Sequence, residues 1–351
     1  MGAKRNANDQ HAYLKTNQTN TTMNFFIAYF KGFWLAVQKI RMWILLYLIN
    51  FIFAIIVAIP LFNLIGDKTG KSLAPQRLLS DFDYTIYQDF MNEYGDAVSI
   101  IMGQSQLIFV LYFFLSIFLV GGILKIFKNN KDRFNFQAFW SGSTFYFWRM
   151  LRLTIYFLIV HGIILGIFGS LAYYSKMHAG FEALESEAEI INMIKFVLPI
   201  YLIFASFFFV VQDYAKIHVV HKDPNWLFFP FWRSFSIVFK NFSKTYPLYL
   251  LNLITFALIF SAFWYFKFSN NMDNSGAITT MFGVGQVFIF SRIGTKLINL
   301  GSATLMYQSI MKNELEKSSS DDEDASSEEV LTDEETLVFV KPEDIKKEEE
   351  E

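Results

Sequence analysis

Arg292 and Lys296 stand four residues apart inside an otherwise apolar run from about Val287 to Met311, with Asn299 three residues further on. On a helix this spacing puts all three on one face. An ionised side chain at bilayer depth costs at least about 2.5 kcal/mol unless it is paired or hydrated, so each such residue is a candidate site. With the span set at about Val287 to Tyr307, a rise of about 1.5 Å per residue puts Arg292 about 7 Å inside the outer edge and Lys296 near the middle. Two readings of the pair follow. In one, Arg292, Lys296 and Asn299 bind the headgroup of an anionic lipid or an anionic solute. In the other, Arg292 snorkels outward and Lys296 meets a carbonyl of a neighbouring helix.

A second cluster combines Asp213 with His218 and His221, and Asp223 lies close by. Histidines at i and i+3 can share a helix face and ligate a metal. Hydrogen bonding at a helix end is the simpler role, and we assign no metal site. His161, within another apolar run, is expected to satisfy a neighbouring helix. The chain has no Cys, which excludes disulfides, thiolate metal sites and cysteine nucleophiles. No nucleophile elbow, Walker loop or zinc-protease motif is present, and Gly283-Val-Gly285 is too short for a phosphate loop. No catalytic residue and no cofactor is expected, and the protein reads as a non-enzyme.

These residues must be positioned by membrane helices. Of 351 residues, 53% are hydrophobic and 19% aromatic, a composition outside the range of soluble domains. Spanning a hydrocarbon core takes about 20 apolar residues as helix. Six runs qualify: Trp43 to Ile65, Gln106 to Ile126, Leu153 to Tyr173, Ile194 to Val211, Tyr246 to Phe266, and Val287 to Met311. The expected fold is an all-α membrane protein with six transmembrane helices.

Charge is segregated along the chain. From Asn313 onward there are 17 acidic and 4 basic residues, while the preceding part carries 26 basic and 15 acidic. Neither part has the composition of a nucleic-acid partner, and membrane lipids, anionic ones above all, are the expected partners. Lys and Arg favour the cytoplasmic side. They collect in the leader and before the first span, around Lys125 to Arg152, and from Lys216 to Lys244. The alternate connections are acid-rich, with Asp81, Asp83, Asp89, Glu93 and Asp96 in one and Glu182, Glu185, Glu187 and Glu189 in another. The expected location is an inner (plasma) membrane, multi-pass, with both termini cytoplasmic. Residues 1–23 read as a disordered polar leader with no signal peptide, 24–315 as the membrane domain and 316–351 as an acidic disordered tail. Within that tail, Thr336 to Val340 could dock a soluble partner.

A repeat underlies the membrane domain. Ahead of the odd-numbered spans lie Phe26, Phe30, Phe33, Val37 and Ile40, then Phe136, Trp140, Ser143, Phe147 and Met150, then Phe228, Trp232, Phe235, Phe239 and Phe242. All three follow the spacing i, i+4, i+7, i+11, i+14, one face of a helix. Lys31-Gly32, Ser141-Gly142 and Arg233-Ser234 sit in matching places, and Tyr47 with Asn50 matches Tyr249 with Asn252. Three two-helix repeats are expected, at about 24–127, 134–222 and 226–312, each opening with a cytoplasmic amphipathic helix in the headgroup layer. Lys31, Trp34, Lys39, Trp140, Arg149, Trp232, Arg233 and Lys240 are the expected interface residues, each cation contributing on the order of 1 kcal/mol near an anionic leaflet. Pro230 belongs in the first turn of the third such helix, with Phe228 just outside it.

The segment Asp213-Tyr-Ala-Lys-Ile-x-Val-Val, followed by an aromatic and basic helix from near Phe228, resembles uncharacterised bacterial six-helix membrane proteins. These include the membrane domain attached to some glycerophosphodiester phosphodiesterases. The resemblance covers residues 200–265. The chain has no catalytic phosphodiesterase domain, so the resemblance implies an accessory membrane function organising or assisting lipids or partner proteins. A transporter or flippase for an anionic amphiphile, working through Arg292 and Lys296, is the alternative.

Overall fold

The structure, a computed structural model, describes residues 23–69, 83–129, 133–178, 187–224, 228–270 and 274–337. Eight helices run through them: α1 (Phe25–Gln38), α2 (Ile40–Thr69), α3 (Tyr84–Lys128), α4 (Phe136–His178), α5 (Glu187–Lys222), α6 (Phe228–Lys240), α7 (Phe242–Ser269) and α8 (Ser275–Leu337). No strand occurs among the described residues. Six of these helices, all but α1 and α6, are long and apolar enough to cross a membrane. Each contains one of the six runs read from the sequence. Helix is what an apolar run must form in lipid, where no water satisfies free backbone groups.

By its internal contacts the chain divides into a unit of Asn24–Met306 and a second unit of Met1–Met23 with Tyr307–Glu351. In the second unit, the described stretch is the continuation of α8, where Lys312 pairs with Glu316 one turn on at 3.4 Å. This helix reaches Leu337, well past the expected membrane boundary at 315, so the first part of the segment expected to be disordered is helical. Most of the 1–23 leader, and the tail beyond Leu337, lie outside the described residues.

In the first unit, the short helices lead into spans at two places. The α1–α2 break falls at Lys39 and the α6–α7 break at Asn241, each thirteen residues after the first aromatic of its stripe. At the equivalent Arg149 there is no break. Residues 136–178 form one continuous helix, so the second amphipathic segment is the first turns of a span and not a separate helix. Leu, Met and Arg around this position favour helix, whereas Asn241 at the α6–α7 join bonds its own Ile237 carbonyl at 3.1 Å and favours a turn.

On α1 the aromatic stripe turns away from the protein and the opposite face packs. Phe26, Phe30 and Phe33 are exposed, while Ala28, Gly32, Leu35 and Ala36 are buried. On α6, Phe228, Trp232 and Phe239 are exposed while Pro230, Ser234, Ile237 and Val238 are buried. Gly32, Gly142 and Ser234, matched in the sequence, are all contact positions. Gly32 lies against Ser302 of α8, Gly142 lies against Lys125 of α3, and Ser234 is fully buried. Small residues let membrane helices approach closely. At Gly122, a Cβ would lie 2.6 Å from the Phe139 carbonyl oxygen, so α3 and α4 pack there backbone to backbone.

Several expectations are corrected. Lys39 is only 3% exposed, buried by its neighbours and not on the outward face with Lys31. Arg149 is partly buried and ion-paired with Asp223. Pro230 lies in the first turn of α6 as expected, but Phe228 is the first residue of that helix and not outside it. The acid-rich segment before the second span is largely helical. Asp83 caps α3, accepting from the amides of Thr85 at 2.9 Å and Ile86 at 3.4 Å, and Asp89, Glu93 and Asp96 follow on the helix. Asp81, Glu182 and Glu185 lie outside the described residues.

Candidate functional site: an intramembrane cavity

Parts of α2, α3, α7 and α8 line a cavity of about 860 Å³. Polar side-chain bonds between the spans frame it. From α2, Trp43 donates its indole N–H to the Phe290 carbonyl at 2.8 Å and stacks on the Phe290 ring with centroids 4.9 Å apart. One turn deeper, Tyr47 donates to Gln286 Oε1 at 2.9 Å. The indole fits because residue 294 is glycine, and any Cβ there would fall within the Trp43 ring. On the opposite side, Tyr112 of α3 donates to Asn50 Oδ1 at 2.6 Å, and Asn50 gives its amide to Leu46 O at 2.7 Å. Asn252 of α7 donates in the same way to Leu248 O at 2.9 Å and reaches Ser302 of α8 at 3.4 Å.

Most of the cavity wall is apolar, including Leu46, Phe53, Val57, Ile108, Phe109 and Phe256. At one side α8 supplies Arg292, Lys296 and Asn299 together, as their spacing requires. Arg292 and Lys296 both keep open surface toward this space. Neither has a side-chain hydrogen bond or an ion-pair partner among the described residues, and no Asp or Glu lines the cavity. A positively charged patch facing an apolar pocket suits a molecule with an anionic head and an apolar body.

A second, smaller cavity of about 210 Å³ adjoins the first, and Ser116, Lys296 and Asn299 line both. Its wall adds Gln212, Asp213 and Lys216 from α5. The Asp213 carboxylate is occupied at both oxygens. Lys216 Nζ lies 3.2 Å from Oδ1, and Asn299 donates to Oδ2 at 2.9 Å. Asn299 therefore joins Asp213 to the edge of the larger cavity instead of pointing only to a ligand.

The candidate metal residues are not brought together. Asp213 is held by Lys216 and Asn299, and His221 Nδ1 lies 2.9 Å from the Ile217 carbonyl of its own helix. His218 is buried at 4% exposure. Asp223 ends α5 with a positive φ of 50° and its amide bonded to Val219 O, a left-handed helix terminus that its pairing with Arg149 holds in place. No group of three or more metal-ligating side chains occurs among the described residues. His161 also departs from expectation. It bonds the Phe157 carbonyl of its own helix at 2.7 Å and packs on Phe209, with centroids 4.5 Å apart.

The sequence reading did not single out Tyr112, Gln106, Ser105 or Ser116, which line the larger cavity from α3. Their signal was available as polar residues recurring in an apolar run, at positions 105, 106, 112 and 116. Asn50 and Asn252 stood out only as a repeat, and both prove to line the cavity.

Fold and cavity define a multi-pass helical membrane protein with a charged intramembrane pocket. In comparisons with known proteins, no family model, no curated protein and no solved structure matches this chain.

Proposed function

We propose that this protein is a non-enzymatic integral membrane protein that takes an anionic amphiphile into the cavity between α2, α3, α7 and α8 and carries or presents it there. Arg292 and Lys296 hold the head and the apolar walls hold the body. The observation that carries this reading is the cavity of about 860 Å³ with two cations and, among the described residues, no carboxylate on its wall. Cations held against an otherwise apolar wall are costly, and an anionic head beside them offsets that cost. A closed apolar interior would instead have favoured a purely organising role.

In this reading the protein sits in a bacterial inner membrane with both termini cytoplasmic, as the distribution of Lys and Arg supports. Three repeats build the membrane domain, each opening on an amphipathic segment at the cytoplasmic face. The outward aromatic stripes of α1 and α6, beside exposed Lys31, Trp34, Trp232 and Lys240, support contact of those segments with anionic lipid. The test is transbilayer movement of a fluorescent anionic lipid in vesicles containing the purified full chain. Movement that depends on the protein and is lost in the Arg292→Gln/Lys296→Gln variant supports the reading. Wild-type flux in that variant contradicts it.

A further inference from the structure

The charge around the two cavities defines the head that the site would select. Arg292, Lys296, Lys216 and Asp213 are the charged residues lining either cavity, three cations against one carboxylate. The carboxylate is already committed, with Lys216 at 3.2 Å on one oxygen and the Asn299 amide at 2.9 Å on the other. Lys296, which lines both cavities, and Arg292 form no ion pair among the described residues, so the side chains lining the two cavities carry a net charge of about two positive. A head carrying one charge would leave the site with a net positive charge, whereas a dianion balances it.

From this balance we infer that the cavity selects amphiphiles with a dianionic head of the phosphomonoester class over those with a single charge, and that Asp213 sets this preference. The inference rests on the anionic-amphiphile reading above. Asp213 acts as a specificity-determining residue through Lys216 and Asn299, without itself meeting the head. If Lys216 were lost, the Asp213 carboxylate would turn its charge toward Lys296, and a single-charged head would then suffice.

The experiment is native mass spectrometry of the detergent-purified full chain titrated with phosphatidic acid, phosphatidylglycerol and phosphatidylcholine. It is run at about pH 8, above the second phosphate pKa of about 6, where the phosphomonoester is doubly charged. The expected result for wild type is phosphatidic acid bound at least about tenfold more tightly than phosphatidylglycerol, the effect of one further charge close to a cation. In Lys216→Met this ratio should fall toward one, with phosphatidic acid losing much more affinity than phosphatidylglycerol. A purely structural role for Lys216 would weaken both lipids alike and leave the ratio unchanged, which would overturn the role given to Asp213. Asp213→Asn, which removes the one carboxylate among the described lining residues, should tighten both anionic lipids. The comparison of lipids on the wild-type chain needs no variant to fold. Equal binding of the two anionic lipids, both lost in Arg292→Gln/Lys296→Gln, would overturn dianion selection and leave the broader reading standing. No preference for either over phosphatidylcholine would overturn both. Displacement of phosphatidic acid by inorganic phosphate at equal concentration would overturn an amphiphile as the source of the phosphomonoester.

Discussion

At the scale of the residue, the site turns on where each cation finds its counter-charge. Lys216 has Asp213, and Arg149 has Asp223. Arg292 and Lys296 line the cavity and form no ion pair among the described residues, although they are drawn from the same basic part of the chain. Helical spacing made the Arg292, Lys296 and Asn299 face legible in the sequence. What spacing could not reveal is the long-range bond from Asn299 to Asp213, which joins helices 86 residues apart in sequence. The same limit hid the Trp43–Gly294 contact, since a glycine in a span is common and only the fold brings an indole against it. Gly294→Leu should therefore destabilise the protein by about 1–3 kcal/mol through overpacking. Thermal unfolding in detergent checks this, and an unchanged midpoint would contradict the contact. Tyr112→Phe removes a single interhelical hydrogen bond, and its expected cost is smaller, about 0.6 kcal/mol in the same assay.

At the scale of the element, the apolar runs were legible because a membrane span is set by length and composition alone. The amphipathic segments were harder, because their periodicity shows a face but not whether the helix breaks afterwards. Lys39 and Asn241 end α1 and α6, while α4 continues straight through Arg149. Charge is read by a similar rule, under which a Lys near a membrane edge is taken to face lipid. Burial and pairing are what spacing leaves out: Lys39 is buried, and Arg149 is paired with Asp223. Exposed Lys31 and Lys240 remain the better test of the amphipathic segments. Neutralising both to Gln should weaken association with vesicles containing anionic lipid while leaving neutral vesicles unaffected; equal loss on both would count against an electrostatic role. The close packing of α3 on α4 makes a separate prediction. Gly122→Val should lower stability more than the same change at Gly103, where no neighbouring atom lies within 4 Å of the Cβ position. Thermal unfolding of the two variants side by side decides this.

At the scale of the whole molecule, four of six apolar helices line a pocket that is apolar for most of its wall and doubly cationic at one side. The class of protein was legible from composition, whereas the pocket was not, because a cavity is a property of packing between spans distant in the chain. The central claim is that the pocket holds an anionic amphiphile by Arg292 and Lys296. Its most direct test is protein-dependent movement of a fluorescent anionic lipid across vesicle membranes, compared between the wild-type chain and the Arg292→Gln/Lys296→Gln variant at equal reconstitution and unfolding midpoint. The account predicts movement with the wild type and only the background of protein-free vesicles with the variant; equal movement with both would contradict it.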